Sequence, residues 1–176
     1  MSYKSKLENL IPGGAHTYSR GADQFPINAP EILSRGKGAY VWDKKKNKYL
    51  DYGMALRAIT LGYSNKVINR AAINQINLGN NFTRPSEIEL KAAECFIENI
   101  PSADMVKFAK NGSNVTTAAI KLARSFTGRN YIAIPRQHPF YSFDDWFIST
   151  TPIKRGTCPD SSKYILLFDY GNLDSL

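Results

Sequence analysis

Cysteine is scarce. The 176 residues hold two, Cys95 and Cys158, too few for a disulfide framework and in keeping with a reduced, cytoplasmic protein. Histidine is equally rare, and no spacing of His16, His138 and the carboxylates suggests a metal site. No apolar run reaches the roughly 18 residues that a membrane span needs. The opening MSYKSKLENLIPGG has a cationic patch with no apolar run behind it, which argues against a signal peptide. GxxxxGK[ST], GxGxxG and GxSxG are all missing, which removes the usual nucleotide-binding and hydrolase signatures.

Positive charge is in excess, with 23 Lys+Arg against 15 Asp+Glu and a formal net charge of +8. Apart from Lys44-Lys45-Lys46 the cations are scattered, and no basic stripe with interleaved aromatics appears. Anionic small molecules are therefore better partners than nucleic acid or a membrane. A hydrophobic content of 43% excludes a disordered chain. The length is near that of one domain, enough to bury about 70% of the unfolded surface.

Pro12-Gly13-Gly14, Gly21, Pro26 and Pro30 punctuate the first 30 residues, predicting a loop or arm rather than a packed helix. GAYVWDKKKNKYLDY predicts a β-hairpin around Lys45-Lys46-Asn47, with Tyr40 and Trp42 on one face. Helical periodicity follows over 65–78 and 86–99. In the second stretch, Ser86 and Glu89 have capping-box spacing. Met105–Ala109 then predicts a strand, Val115 to Phe126 a helix ended by Gly128, and 131–134 and 164–168 further strands. Strand, helix and strand in this order predict a βαβ unit and a parallel sheet of three strands. A sheet so small leaves edges and a face uncovered, as expected of the front part of a larger fold.

The corner Lys110-Asn111-Gly112-Ser113-Asn114 lies between a strand and a helix. Free backbone N–H groups and the positive helix end would point outward together, Gly112 would admit close approach, and Ser113 would add a hydroxyl donor. A phosphate suits that arrangement. The alternative is that Ser113 or Asn114 simply caps a helix. His138, after the next strand, would fall near the same sheet edge, as a ring for stacking or as a loop histidine among aromatics. Asp144-Asp145 suits a solvated turn. Arg20, in a glycine-flanked segment, could clamp a carboxylate or serve as a surface arginine.

IPGGAHTYSRG, GAYVWDKKKNKYLDY, ITLGY and KNGSNVTTAAIKLAR occur in the order found in class III pyridoxal-phosphate-dependent aminotransferases, which this chain resembles from about residue 9 onward. The branch it looks most like is glutamate-1-semialdehyde 2,1-aminomutase. The resemblance implies an α/β chain of PLP-dependent transferase fold type I. Residues 1–60 would form the arm and a small antiparallel sheet, and 61–176 the incomplete start of a mostly parallel α/β/α large domain. It further implies pyridoxal 5'-phosphate as cofactor, a small amino or keto substrate and a homodimer.

The family's Ser-Gly-Thr-Glu-Ala corner falls on Asn111 to Val115, so the resemblance assigns phosphate contacts to Gly112 and Ser113, with Asn111 beside them. Its ring-stacking Tyr-His-Gly falls on His138, Pro139 and Phe140, making His138 the first and Phe140 the second choice. Arg20 occupies the place of the arginine that holds a substrate carboxylate. The aminomutase's Gly-Ser-Trp-Gly reads Met54-Ala55-Leu56-Arg57 here, which puts Arg57 in the substrate pocket and glutamate semialdehyde itself in question. Tyr18-Ser19-Arg20 and His138-Pro139-Phe140 point the same way, since relatives of that character look like transaminases acting on other substrates, such as amino sugars. None of Lys107, Lys110 and Lys121 matches the family's Schiff-base lysine motif, so the chain alone is expected to be inactive. The rival expectation is a non-catalytic phosphate-binding or docking fragment from a truncated gene.

Overall fold

The structure is a computed structural model that describes residues 2–176. It divides into two compact units, Met1–Arg84 and Pro85–Leu176.

The first unit opens with helix α1 (Tyr3–Leu10), whose N-cap Ser2 accepts from the Ser5 amide. This corrects the expectation of a wholly irregular arm. The Pro12-Gly13-Gly14 turn ends the helix instead of preventing it, with Gly13 at φ 72°. Two further single 3-10 turns, Tyr18–Arg20 and Ala22–Gln24, carry the arm forward. Strands β1 (Leu33–Lys37), β2 (Tyr40–Asp43) and β3 (Lys48–Leu50) form an antiparallel sheet in the order β1-β2-β3. The expected hairpin is therefore present as β2–β3, with Trp42 opposite Lys48. Asp43 closes its turn by accepting from the Asn47 amide at 2.9 Å. Tyr40 and Trp42 do share a face: the Lys48 ammonium lies 3.7 Å from the Tyr40 ring centre and 6.0 Å from that of Trp42.

Beyond the sheet lies α2 (Met54–Arg57), a turn wound in the left-handed sense, with φ between 44° and 69° at all four residues. Helix α3 (Lys66–Leu78) follows, and its N-cap Asn65 accepts from the Val67 and Ile68 amides.

The second unit begins with α4 (Glu87–Asn99). The Glu89 carboxylate accepts from the Ser86 amide at 2.6 Å, as the capping-box spacing requires. Helix α5 (Gly112–Thr127) runs from N-cap Asn111 to Gly128, which is left-handed at φ 66°. Strands β4 (Ile132–Pro135) and β5 (Ile165–Phe168) pair in parallel, joined by a crossover that carries the single-turn helix α6 (Asp145–Ile148).

Two expectations are corrected. Met105–Ala109 forms no strand, because a strand needs a ladder partner and this stretch has none among the described residues. Phe108 instead packs edge-on against Phe96 of α4, with ring centres 6.3 Å apart. The parallel sheet consequently has two strands rather than three, and α5 precedes the crossover instead of forming it. Among the described residues, Ile134 and Phe147 are the buried apolar side chains of this unit, and Val41 that of the first.

Candidate functional site

The second unit's site begins at the start of α5. An α-helix leaves its first N–H groups without partners inside the helix. Here the Asn111 side chain accepts from the Asn114 amide at 3.0 Å, and the Val115 amide bonds the Asn111 carbonyl. Asn111, and neither Ser113 nor Asn114, is thus the capping residue. The amides of Gly112 and Ser113 remain, pointing out of the positive end of a 16-residue helix. Open space surrounds Gly112: a Cβ built there would meet no atom within 4 Å. Ser113 is buried, and its Oγ accepts from the Phe143 amide at 3.2 Å, which leaves the hydroxyl proton free for an acceptor. Two amides, one hydroxyl proton and room for close approach make a donor set suited to a phosphate.

The segment after β4 is fastened to the same helix face. Thr116 Oγ1 donates to the Tyr141 carbonyl at 2.9 Å. Thr117 Oγ1 bonds the Asp144 carboxylate, stands 3.3 Å from Ser142 Oγ, and accepts from Trp146 Nε1 at 2.9 Å. Ser142, completely buried, donates to Asp144 at 3.2 Å and accepts from the Asp144 amide at 3.0 Å. These contacts correct the expectation of a solvated turn for Asp144, while Asp145 stays exposed. Asp144 is half-buried, and Asp145 Oδ2 accepts from the Cys158 amide at 3.0 Å and the Ser161 hydroxyl at 3.2 Å. The Cys158 amide bond is the main cause that holds the Asp145 carboxyl below its usual range, and Ser161 adds to it.

Around this seam lies an aromatic cluster. The ring of His138 is 4.8 Å from that of Phe147 and 5.7 Å from that of Tyr141, and Phe140 meets Phe147 edge-on at 5.7 Å. His138 is half-buried, whereas Phe140 is 67% exposed and keeps an open face. The structure therefore brings Asn111, Gly112 and Ser113 onto one corner and ties that corner to the segment bearing His138 and Phe140. Sequence reasoning missed Thr116, Thr117, Ser142 and Asp144. The available signal was the helix face itself, since Thr116 and Thr117 follow Ser113 at i+3 and i+4.

The two arginines belong to the first unit. Both Arg20 and Arg57 are exposed. Asp51 organises their surroundings: its Oδ1 accepts from the Gly53 and Met54 amides, at the entry to α2, while its Oδ2 accepts from the Tyr63 hydroxyl at 2.6 Å. That bond raises the pKa of Tyr63, and the nearby Arg20 charge acts in the opposite direction. The turn that ends in Arg57 is thus linked through Asp51 to Tyr63. No group of three or more potential metal ligands occurs among the described residues, nor does any helix long and apolar enough to cross a membrane.

The family model described as aminotransferase class-III matches residues 17–168. The chain is 30% identical to a glutamate-1-semialdehyde 2,1-aminomutase of Alkaliphilus metalliredigens, over 96% of this chain and 40% of that protein. It is 34% identical to a 3-aminobutyryl-CoA aminotransferase of Cloacimonas acidaminovorans, over 100% and 41%. Among solved structures, the PLP-bearing FumI protein of Sphingopyxis sp. MTA144 superimposes with a TM-score of 0.88 at 32% identity, covering 98% of this chain and 41% of that one. The chain thus spans about 40% of the length of the curated relatives that it matches over nearly its whole length.

Proposed function

Since the chain belongs to the class-III aminotransferase family, with the fold of PLP-dependent transferases, we propose that it is the N-terminal portion of a pyridoxal-phosphate-dependent aminomutase or aminotransferase. Pyridoxal 5'-phosphate is the family's cofactor, and when bound it supplies an electron sink and a carrier for the amino group. The observation that carries the reading is the α5 corner, where two unpaired amides and the Ser113 hydroxyl proton converge beside the open space at Gly112.

In this reading Gly112 and Ser113 hold the phosphate by their amides and by the Ser113 hydroxyl, and Asn111 keeps those amides aimed by capping the helix. Covering the ring falls to His138 or to Phe140, whose open face favours it. Arg20 orients a substrate carboxylate, and Arg57 shapes the pocket from the left-handed turn. Residues 1–60 are then the arm and small sheet, and 61–176 the first part of the large PLP-binding domain. The intact protein would be a homodimer in the cytoplasm, and the transfer chemistry would need residues of its remaining portion, so this chain alone would be inactive.

Substrate identity is open in a specific way. Relatives named as a glutamate-1-semialdehyde 2,1-aminomutase, an aminopentol aminotransferase and a 3-aminobutyryl-CoA aminotransferase lie within 30–34% identity of this chain. Overall similarity therefore favours none of their substrates, and Arg57 in place of the aminomutase's tryptophan segment speaks for a different one. The binding reading is tested by titrating the chain with pyridoxal phosphate and following absorbance, beside a Ser113→Ala variant. About a tenfold weaker Kd in the variant is expected. Equal affinity would remove the Ser113 hydroxyl from the site and count against phosphate binding at the α5 corner.

A further inference from the structure

We infer that Asp144 is a positioning residue: through Ser142 and Thr117 it locks the segment 138–147 against α5 and so fixes the aromatic face above the phosphate corner. The inference rests on the reading of that corner as the cofactor's phosphate site. Its basis is a polar seam inside an otherwise apolar contact. One Asp144 oxygen receives both the Thr117 and the Ser142 hydroxyls, and Thr117 in turn receives the Trp146 indole N–H. Ser142, fully buried, also receives the Asp144 amide, so the carboxylate and its own backbone are both held. The seam repeats along α5, with Ser113 taking the Phe143 amide and Thr116 giving to the Tyr141 carbonyl.

A half-buried network of this kind, centred on the buried Ser142, has few alternative arrangements, because donors withdrawn from water would lose their partners. Its geometry bears directly on the ring side of the site. His138, Phe140, Tyr141 and Trp146 all pack on Phe147, which is 1% exposed and one turn past Asp144. The two amide donors do not depend on Asp144, since Asn111 caps the helix start that presents them, and only the Ser113 hydroxyl touches the locked segment, through the Phe143 amide. Removing the carboxylate should therefore loosen the ring contacts and spare the amide contacts to phosphate.

Trp146 reports on the seam from within, and a Trp42→Phe background isolates its emission. Without cofactor, Asp144→Ala is expected to raise acrylamide quenching of Trp146 about twofold through local opening, with far-UV circular dichroism unchanged. With cofactor, the same variant is expected to weaken pyridoxal phosphate binding about tenfold while Kd for inorganic phosphate stays the same. Asp144→Asn, which keeps an acceptor oxygen for both hydroxyls, should recover most of the loss, and Thr117→Ser should match the parent where Thr117→Val does not. Unchanged quenching would overturn the lock. Increased quenching with unchanged pyridoxal phosphate affinity would overturn the positioning role, as would equal losses for pyridoxal phosphate and inorganic phosphate. A parent chain that binds neither ligand would refute the cofactor reading itself; Asp144 would then be a structural lock alone, which overturns the positioning role too.

Discussion

Ser149 has a buried hydroxyl oxygen with no hydrogen-bond partner among the described residues. A buried polar atom in that state is unfavourable by about 1–3 kcal/mol, and alanine at the same place carries no such atom. Ser149→Ala is therefore expected to stabilise the chain by about 1 kcal/mol, read as a higher midpoint in urea at unchanged slope. A lower midpoint would mean that the hydroxyl has a partner after all. Asp145 offers the opposite case, a carboxylate with two donors. Its folded pKa lies below the ordinary 3.8, with the Cys158 amide as the first cause. A depressed carboxyl pKa stabilises above the unfolded value, and that contribution is lost as pH falls through the folded one. The 158–161 segment should thus stay fastened at neutral pH and come loose only below about pH 4. Amide exchange at Cys158 measures this directly. It should be accelerated by Asp145→Ala at pH 7, whereas the unaltered chain should show that acceleration only in acid.

At the level of elements, α2 is the most unusual piece. Four consecutive non-glycine residues hold positive φ, a conformation that is unfavourable by roughly 1–2 kcal/mol per residue for L-amino acids. Asp51 offsets part of this by accepting from the Gly53 and Met54 amides. Glycine has no Cβ to clash there, so Ala55→Gly should stabilise the chain by about 1 kcal/mol, against the normal sign for an alanine in a helical turn. A destabilised variant in thermal melting would show that the turn is right-handed in solution. The same turn shows where sequence legibility stops. MALR consists of good right-handed helix formers, and nothing local announces the reversal. Helices α3, α4 and α5 were legible from their apolar periodicity, with the Ser86–Glu89 box and the stop at Gly128 acting over three or four residues, whereas the cap of α5 falls on Asn111 and not on Ser113 or Asn114. Strand β1 was not: Leu-Ser-Arg-Gly-Lys lacks apolar alternation and exists through its backbone pairing with β2. The converse error fell on Met105–Ala109, apolar enough for a strand but without a ladder. The site divides in the same way. Ser113 could be found from the corner it sits in, but its alliance with Phe143 spans 30 residues, and that of Thr117 with Asp144 spans 27.

For the whole molecule the governing quantity is apolar surface. Folded monomers of 19.7 kDa expose about 8,600 Å² by the usual scaling with mass. This chain exposes 14837 Å², and only Val41, Ile134 and Phe147 are buried apolar side chains among its described residues. Large side chains on every long helix face outward, among them Val67 and Ile76 on α3, Leu90 on α4 and Leu122 and Phe126 on α5. Patches of this kind mark surfaces made to be covered. In the proposed reading the cover is the remaining portion of the fold, since FumI superimposes on 98% of this chain with only 41% of its own length. Two measurements on the isolated chain follow from that deficit. A hydrophobic dye such as ANS should bind strongly at neutral pH, and calorimetry should give a heat-capacity increment on unfolding well below the roughly 12–15 cal/mol/K per residue of ordinary domains. Joining the chain to the remaining portion should suppress the dye signal and restore the increment, because the same apolar atoms then leave water. An isolated chain that excludes the dye and unfolds with a full increment would mean that these faces find cover by themselves, and the fragment reading would give way to that of a self-sufficient binding module.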